Sequence, residues 1–105
     1  MDFQVIWSPN AVRDLDGIAT YIANDSAIYA ASFVSRVLKV SQQLRKFPQS
    51  GRVVPEFADP NLRERIISHY RFIYRLRTND ILLLALIHGR RLMLDNFDPE
   101  ADDSK

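Results

Sequence analysis

The sequence predicts an α+β domain of order β-α-α-β-β-β, an antiparallel sheet packed against an N-terminal helical hairpin. Three observations predict it. Apolar residues recur at helical spacing between Ala11 and Leu44. Extended segments, first alternating and then continuously apolar, fill residues 63–88. Pro48, Gly51, Pro55 and Pro60 punctuate the stretch between the two halves. A helical half and a strand half bury their apolar faces most economically as a hairpin laid on one face of a sheet.

Each element has a local cause. Phe3 to Trp7 is a short strand. Ser8-Pro9 then starts a helix: Ser caps it, and Pro suits the first turn, where its missing N–H has no partner to lose. Ala11, Leu15, Ile18 and Ile22 form the apolar stripe, with Arg13, Asp14, Asp16 and Gly17 off it. Asn24-Asp25-Ser26 is a turn and a second cap; as a glycosylation sequon it is accidental in a chain without a secretory signal. Ala30, Phe33, Val34, Val37, Val40 and Leu44 continue a longer helix, which ends before Pro48. So short a join folds the two helices back as an antiparallel hairpin. Phe47 to Pro60 is a loop. Arg63 to Ile67 is extended. Arg71 to Arg77 alternates, with Phe72, Tyr74 and Leu76 on one face and Arg71, Ile73, Arg75 and Arg77 on the other. Thr78-Asn79-Asp80 turns into Ile81 to His88, apolar enough for the middle of a sheet. The arginine face of the second strand is expected to point away from the helices and to lie outside the core. Phe33 and Leu84 are expected inside it.

Composition narrows the function. The chain has 105 residues, 47% hydrophobic and 26% charged, the size and make-up of one globular domain. It has no cysteine, which excludes disulfides, thiolate zinc sites and a cysteine nucleophile, and a cytoplasmic address is expected. No basic region precedes an apolar stretch at the start, and the longest apolar run, Ile81 to Ile87, is too short for a bilayer; no membrane role is expected. A net charge of +1 hides segregation: residues 1–35 sum to −3, residues 36–91 to +8 and residues 92–105 to −4. Such asymmetry points to an acidic or polyanionic partner. Eleven of the fourteen basic residues are Arg, whose planar fork pairs carboxylate or phosphate.

No phosphate-binding loop, dinucleotide fingerprint or nucleophile elbow is present. His69 and His88 stand apart on different segments, and no ligand spacing supports a metal; neither metal nor cofactor is expected. The informative stretch is His88-Gly89-Arg90-Arg91 at the end of the apolar strand. There, two adjacent arginines can reach a phosphate or an acidic partner, or simply cap a solvated strand end. Arg63 and Arg65 share one strand face with Glu64 opposite, which also fits ordinary surface pairing.

Several of these segments, in order, resemble the RelE/ParE superfamily of bacterial toxins from type II toxin–antitoxin systems, also described as plasmid stabilisation proteins. They are Trp7-Ser8-Pro9-Asn10-Ala11, Asp14 to Ile18, Tyr21-Ile22, Leu44 with Phe47-Pro48, Gly51-Arg52, Val54-Pro55-Glu56, Arg63-Glu64, Tyr70 to Arg75 and His88 to Arg91. The resemblance covers about residues 3–97 and implies one toxin domain over 1–97, followed by an acidic tail, 98–105, expected to be flexible. It also implies a cognate antitoxin whose acids could pair with the arginine face. Arg63, Arg65, Arg75, Arg77 and Arg90 are the expected partner- or target-binding residues. Asp95 to Asp103 could fold back on the same face, or serve only as a solubilising tail.

The superfamily has two kinds of target. RelE-like members cut mRNA on the ribosome, and ParE-like members bind and trap DNA gyrase. Cutting RNA needs a base, an acid and cations for the phosphorane. Arg71 and Arg91 match functional arginines of the nucleases, and Glu64 and His88 are the counterparts of the Glu and His some relatives use. These four are catalytic candidates only for a nuclease. Against that reading, Phe97 falls where the nucleases carry a tyrosine, and Leu62 and Glu64 where RelE carries lysines. Leu86-Ile87-His88 is ParE-like. The resemblance therefore favours gyrase over mRNA, with a non-toxic binding relative as the third reading.

Overall fold

The computed structural model describes residues 2–90. Arg91, Phe97 and the acidic tail therefore lie outside the described residues, as does the expected boundary at residue 97. Seven elements follow in order: β1 (Gln4–Trp7), α1 (Pro9–Ala23), α2 (Ala27–Lys46), β2 (Arg52–Val53), β3 (Leu62–Ile67), β4 (Tyr70–Leu76) and β5 (Asp80–His88). The α+β class and the helical hairpin are as expected. The sheet has the order β1-β5-β4-β3-β2. Two features go beyond the antiparallel expectation. β1 runs parallel to β5, from Gln4 opposite Asp80 to Trp7 opposite Leu83. β2, within the expected loop, pairs antiparallel with β3 through Arg52 and Glu64.

Both helix starts are capped as the sequence indicates. Ser8 Oγ accepts from Ala11 N, and Ser26 Oγ accepts from Tyr29 N, each at 3.1 Å. The hairpin packs on one face of the sheet. Ala11, Phe33, Val37 and Leu44 meet Ile67, Phe72, Tyr74, Ile81, Leu83 and Leu86 there. Phe33 stacks edge-on against Tyr70, with ring centroids 5.3 Å apart. No helix among the described residues is long and apolar enough to cross a membrane.

The opposite face corrects an expectation. It was expected to present arginines to solvent, but it carries a second core of Val54, Leu62, Ile73, Leu82, Leu84 and Ala85. Phe57 packs against this core from the loop between β2 and β3. Ile73, placed on the arginine face by alternation, is fully buried, and Arg71 on the same face is only 5% exposed. The alternation itself holds. What it misses is that the loop folds over the strand.

The register between β4 and β5 slips within this core. Ile73 faces Ala85, but Tyr74 faces Leu83, so Leu84 is an extra residue on β5. Such a bulge frees backbone groups from the ladder. β1 has already ended here, and α1 takes its place. Ser8 Oγ donates to the Leu84 carbonyl at 3.2 Å, and Asp14 Oδ2 accepts from Leu86 N at 3.0 Å. Asp14, off the apolar stripe, thus fastens α1 to β5. Asp14→Ala should destabilise the domain by about 1–3 kcal/mol, because it strands the Leu86 N–H. Urea titration measures this, and an unchanged midpoint would refute it.

The connection from α2 to β2 is held by Tyr74. Its buried hydroxyl accepts from Gly51 N at 2.9 Å and donates to the Pro48 carbonyl at 2.8 Å. A Cβ at residue 51 would come within 2.6 Å of both the Glu64 carbonyl oxygen and the Tyr74 hydroxyl, so only glycine fits this close approach.

Candidate functional site

The ten arginines of the described residues are not equivalent, and strand geometry sorts those of the sheet. On β4 and β2, Arg71, Arg75 and Arg52 point to the loop-covered face, because their cross-strand partners Ile87, Leu62 and Glu64 do. On β3, Arg63 and Arg65 lie opposite Tyr74 and Phe72 and point to the helix face.

The loop-covered face holds a closed ion-pair network. Arg71 Nε donates to Glu64 Oε1 at 2.6 Å, and its Nη1 and Nη2 donate to the two carboxylate oxygens of Glu56 at 2.7 Å. The other oxygen of Glu64 accepts from Arg52 Nε at 2.6 Å. Glu64 is 1% exposed. Bidentate pairing of this kind is the strongest form of guanidinium recognition. Arg71 is held well above its ordinary range, first by Glu56, against the cost of burial, and then by Glu64. Raising the pKa of a cation stabilises the fold at every pH below that pKa, so this contribution persists across the working range.

Further along the same face, Arg75 pairs with Asp59 at 3.1 Å, and Arg77 pairs with Asp80. Asp59 is held below the usual carboxylate range, first by the Asn61 N–H it accepts and also by Arg75, while burial acts the other way. A lowered carboxylate stabilises the fold above its unfolded pKa and loses that contribution as pH falls through the folded value.

The helix face is different. Arg65 donates to Ser50 Oγ and Gln43 Oε1, both at 3.1 Å. Arg63 donates to the Pro60 carbonyl at 2.9 Å and the Gly51 carbonyl at 3.0 Å. All these acceptors are neutral. Both guanidiniums act on the nearby Tyr74 hydroxyl to lower its pKa, but burial outweighs them and its pKa is raised.

His88 ends β5 on the helix face, beside its cross-strand neighbour Tyr70, with ring centroids 5.7 Å apart. Its Nδ1 accepts from Arg90 N at 3.2 Å. Of the nuclease candidates among the described residues, Glu64 and Arg71 are brought together and His88 is set apart from them. Glu64 and Arg71 share one face and are sealed by each other and by Glu56, while His88 is on the other face. Arg91 lies outside the described residues. Of the five expected docking arginines, Arg63 and Arg65 face neutral partners, whereas Arg75 and Arg77 are neutralised; Arg90 follows the end of β5, where its backbone N–H meets His88. Sequence reasoning gave no role to Arg52, Gln43, Ser50, Asp59 or Asp80. It also gave no role to Glu56, although Val54-Pro55-Glu56 was part of the resemblance. No group of three or more metal-ligating side chains occurs among the described residues.

Fold and site together define a small α+β protein whose sheet sorts its arginines between an ion-paired face and a face of neutral partners. Residues 5–93 match the ParE toxin family of the type II toxin–antitoxin system parDE, and the chain belongs to that family. It is 29% identical over 90 residues to the putative toxin Y4kP of Sinorhizobium fredii, covering 84% of this chain and 90% of that one. Toxin RelE2 of Caulobacter vibrioides is 28% identical over 90 residues, covering 85% and 98%. Toxin ParE3 of the same species is 28% identical over 78 residues, covering 73% and 77%. The solved chromosomal ParDE system from P. aeruginosa shares the fold, with a TM-score of 0.66 at 19% identity over 82% of this chain and 95% of that chain. The protein is a type II toxin, a class that implies an antitoxin partner.

Proposed function

We propose that this toxin acts in the cytoplasm as a ParE-like inhibitor that binds and traps DNA gyrase, and that a cognate antitoxin neutralises it. One observation carries the choice of gyrase over mRNA. Glu64, one of the two acid–base candidates, is buried in ion pairs with Arg71 and Arg52 on one face of the sheet, and His88, the other, is exposed on the opposite face. A general base must come within hydrogen-bond reach of the proton it removes. Glu64 is walled off from a ribose hydroxyl, and it shares no reaction site with His88. Binding to gyrase needs only a surface.

The test is a supercoiling reaction with purified gyrase and a separate primer extension on defined mRNA in a purified translation system. Gyrase inhibition with intact mRNA is the expected result. Discrete ribosome-dependent cuts would overturn the proposal and make the protein a RelE-like endonuclease. Folded protein inactive in both assays and harmless on induction would make it a non-toxic binding relative.

A further inference from the structure

The sorting of charge by the sheet goes further than the family assignment. Between residues 36 and 90, the four carboxylates Glu56, Glu64, Asp59 and Asp80 are all taken by Arg52, Arg71, Arg75 and Arg77. The remaining cations of that stretch have no carboxylate within ion-pair distance among the described residues. Several of them line one seam, where α2 runs beside β3. α2 contains no acidic residue at all. Arg36, Lys39 and Gln43 stand at helical spacing on one side of it. Gln43 touches Arg65, and Arg36 lines a surface hollow with Ser68, His69 and Tyr70 beyond the end of β3.

We infer that this seam, built from Arg36, Lys39, Arg63 and Arg65 with Gln43 and Ser50, is a binding track for the phosphate backbone of duplex DNA. The inference does not rest on gyrase being the target. Three features favour it. Arg63 and Arg65 are held in place by neutral oxygens, so each keeps its full charge in a fixed pose with little ordering left to do on binding. They lie two strand residues apart, roughly 6–7 Å, or about twice the axial rise per phosphate of one B-DNA strand. Neutral hydroxyl and amide groups are interleaved with the cations, the mixture that contacts phosphate oxygens.

Single strands are less suited, because they stack successive bases on neighbouring aromatics. The exposed aromatics on this side of α2, Tyr29 and Phe47, stand one at each end. Helix rise separates them by about 27 Å. An acidic peptide would pair the same guanidiniums through its carboxylates, and competition by poly-glutamate separates it from the duplex.

The experiment is fluorescence anisotropy of the full chain with a short labelled DNA duplex, read over a series of salt concentrations. Four phosphate contacts predict a slope of log K against log salt of about −3 to −4. Arg63→Gln/Arg65→Gln should make the slope shallower by about two units. Arg45→Gln removes a charge on the β1 side of α2 and should leave the slope unchanged. If the double variant fails to fold by circular dichroism, Gln43→Glu/Ser50→Asp serves instead. It sets carboxylates against Arg65 without altering an arginine and should also weaken the slope. The inference is overturned by no binding at low salt, by equal loss in Arg45→Gln, or by a slope that neither pair of substitutions changes. Tighter binding of a matched RNA duplex would also overturn it, as would poly-glutamate displacing the DNA as well as unlabelled duplex does.

Discussion

Replacing Arg71 with alanine should cost the domain roughly 3–5 kcal/mol, enough to unfold a marginal one. The reason is what remains. Glu64 is almost without exposure, and its Oε1 would lose its cation, while Glu56 would lose the bidentate bonds it accepts from Arg71. Breaking one side of a buried pair leaves an uncompensated charge, a larger penalty than the net worth of the pair. Thermal unfolding followed by circular dichroism measures it. Arg71→Met combined with Glu64→Met and Glu56→Gln should recover much of the loss, because the charges then leave together. A stable, well-folded Arg71→Ala protein would refute the structural role and return Arg71 to the list of surface residues, where its strand alternation first put it. Loss of toxicity in Arg71→Ala is therefore no evidence of catalysis without a folding control.

Phe33→Ala should be similarly damaging, at about 3–5 kcal/mol, and Leu84→Ala should cost about 2–3 kcal/mol. The difference comes from what can collapse into the cavity. Phe33 lies between α2 and the sheet and stacks on Tyr70, packed mainly against helix and strand residues. Leu84 belongs to the second core, which Phe57 of a loop helps to cover, and a loop can settle inward by more than a helix. Chemical denaturation of both variants checks the order. A Leu84→Ala protein less stable than Phe33→Ala would mean that the loop-covered core is the rigid one.

Much of this fold is legible in the sequence because its causes are local. Ser8-Pro9 and Ser26 mark the helix starts by chemistry that acts within three residues. The alternation through β4 assigns each side chain to the correct face. The parallel pairing of β1 with β5 is not legible, since nothing in Gln4–Trp7 names a partner 76 residues away. β2 is two residues long and carries no pattern of its own. The site is less legible still. Alternation shows that Arg71 points away from the helices, but whether that face is wet depends on a loop closing over it. Asp14 looks like a surface acid because its target, the Leu86 N–H, exists only where β5 bulges. Arg63 and Arg65 differ from Arg71 and Arg75 through the acids that a folded loop delivers, a distinction absent from one dimension.

The place of β5 in the sheet has a genetic consequence. It is hydrogen-bonded to strands on both sides and supplies residues to both cores, yet it is the last strand of the described chain to be synthesised. A nonsense or frameshift mutation anywhere before it leaves β1 without its neighbour and both cores open. Truncations of the gene should therefore fall into two classes with nothing between them: those that spare β5, and nulls that burden the cell with neither toxicity nor a folded partner for the antitoxin.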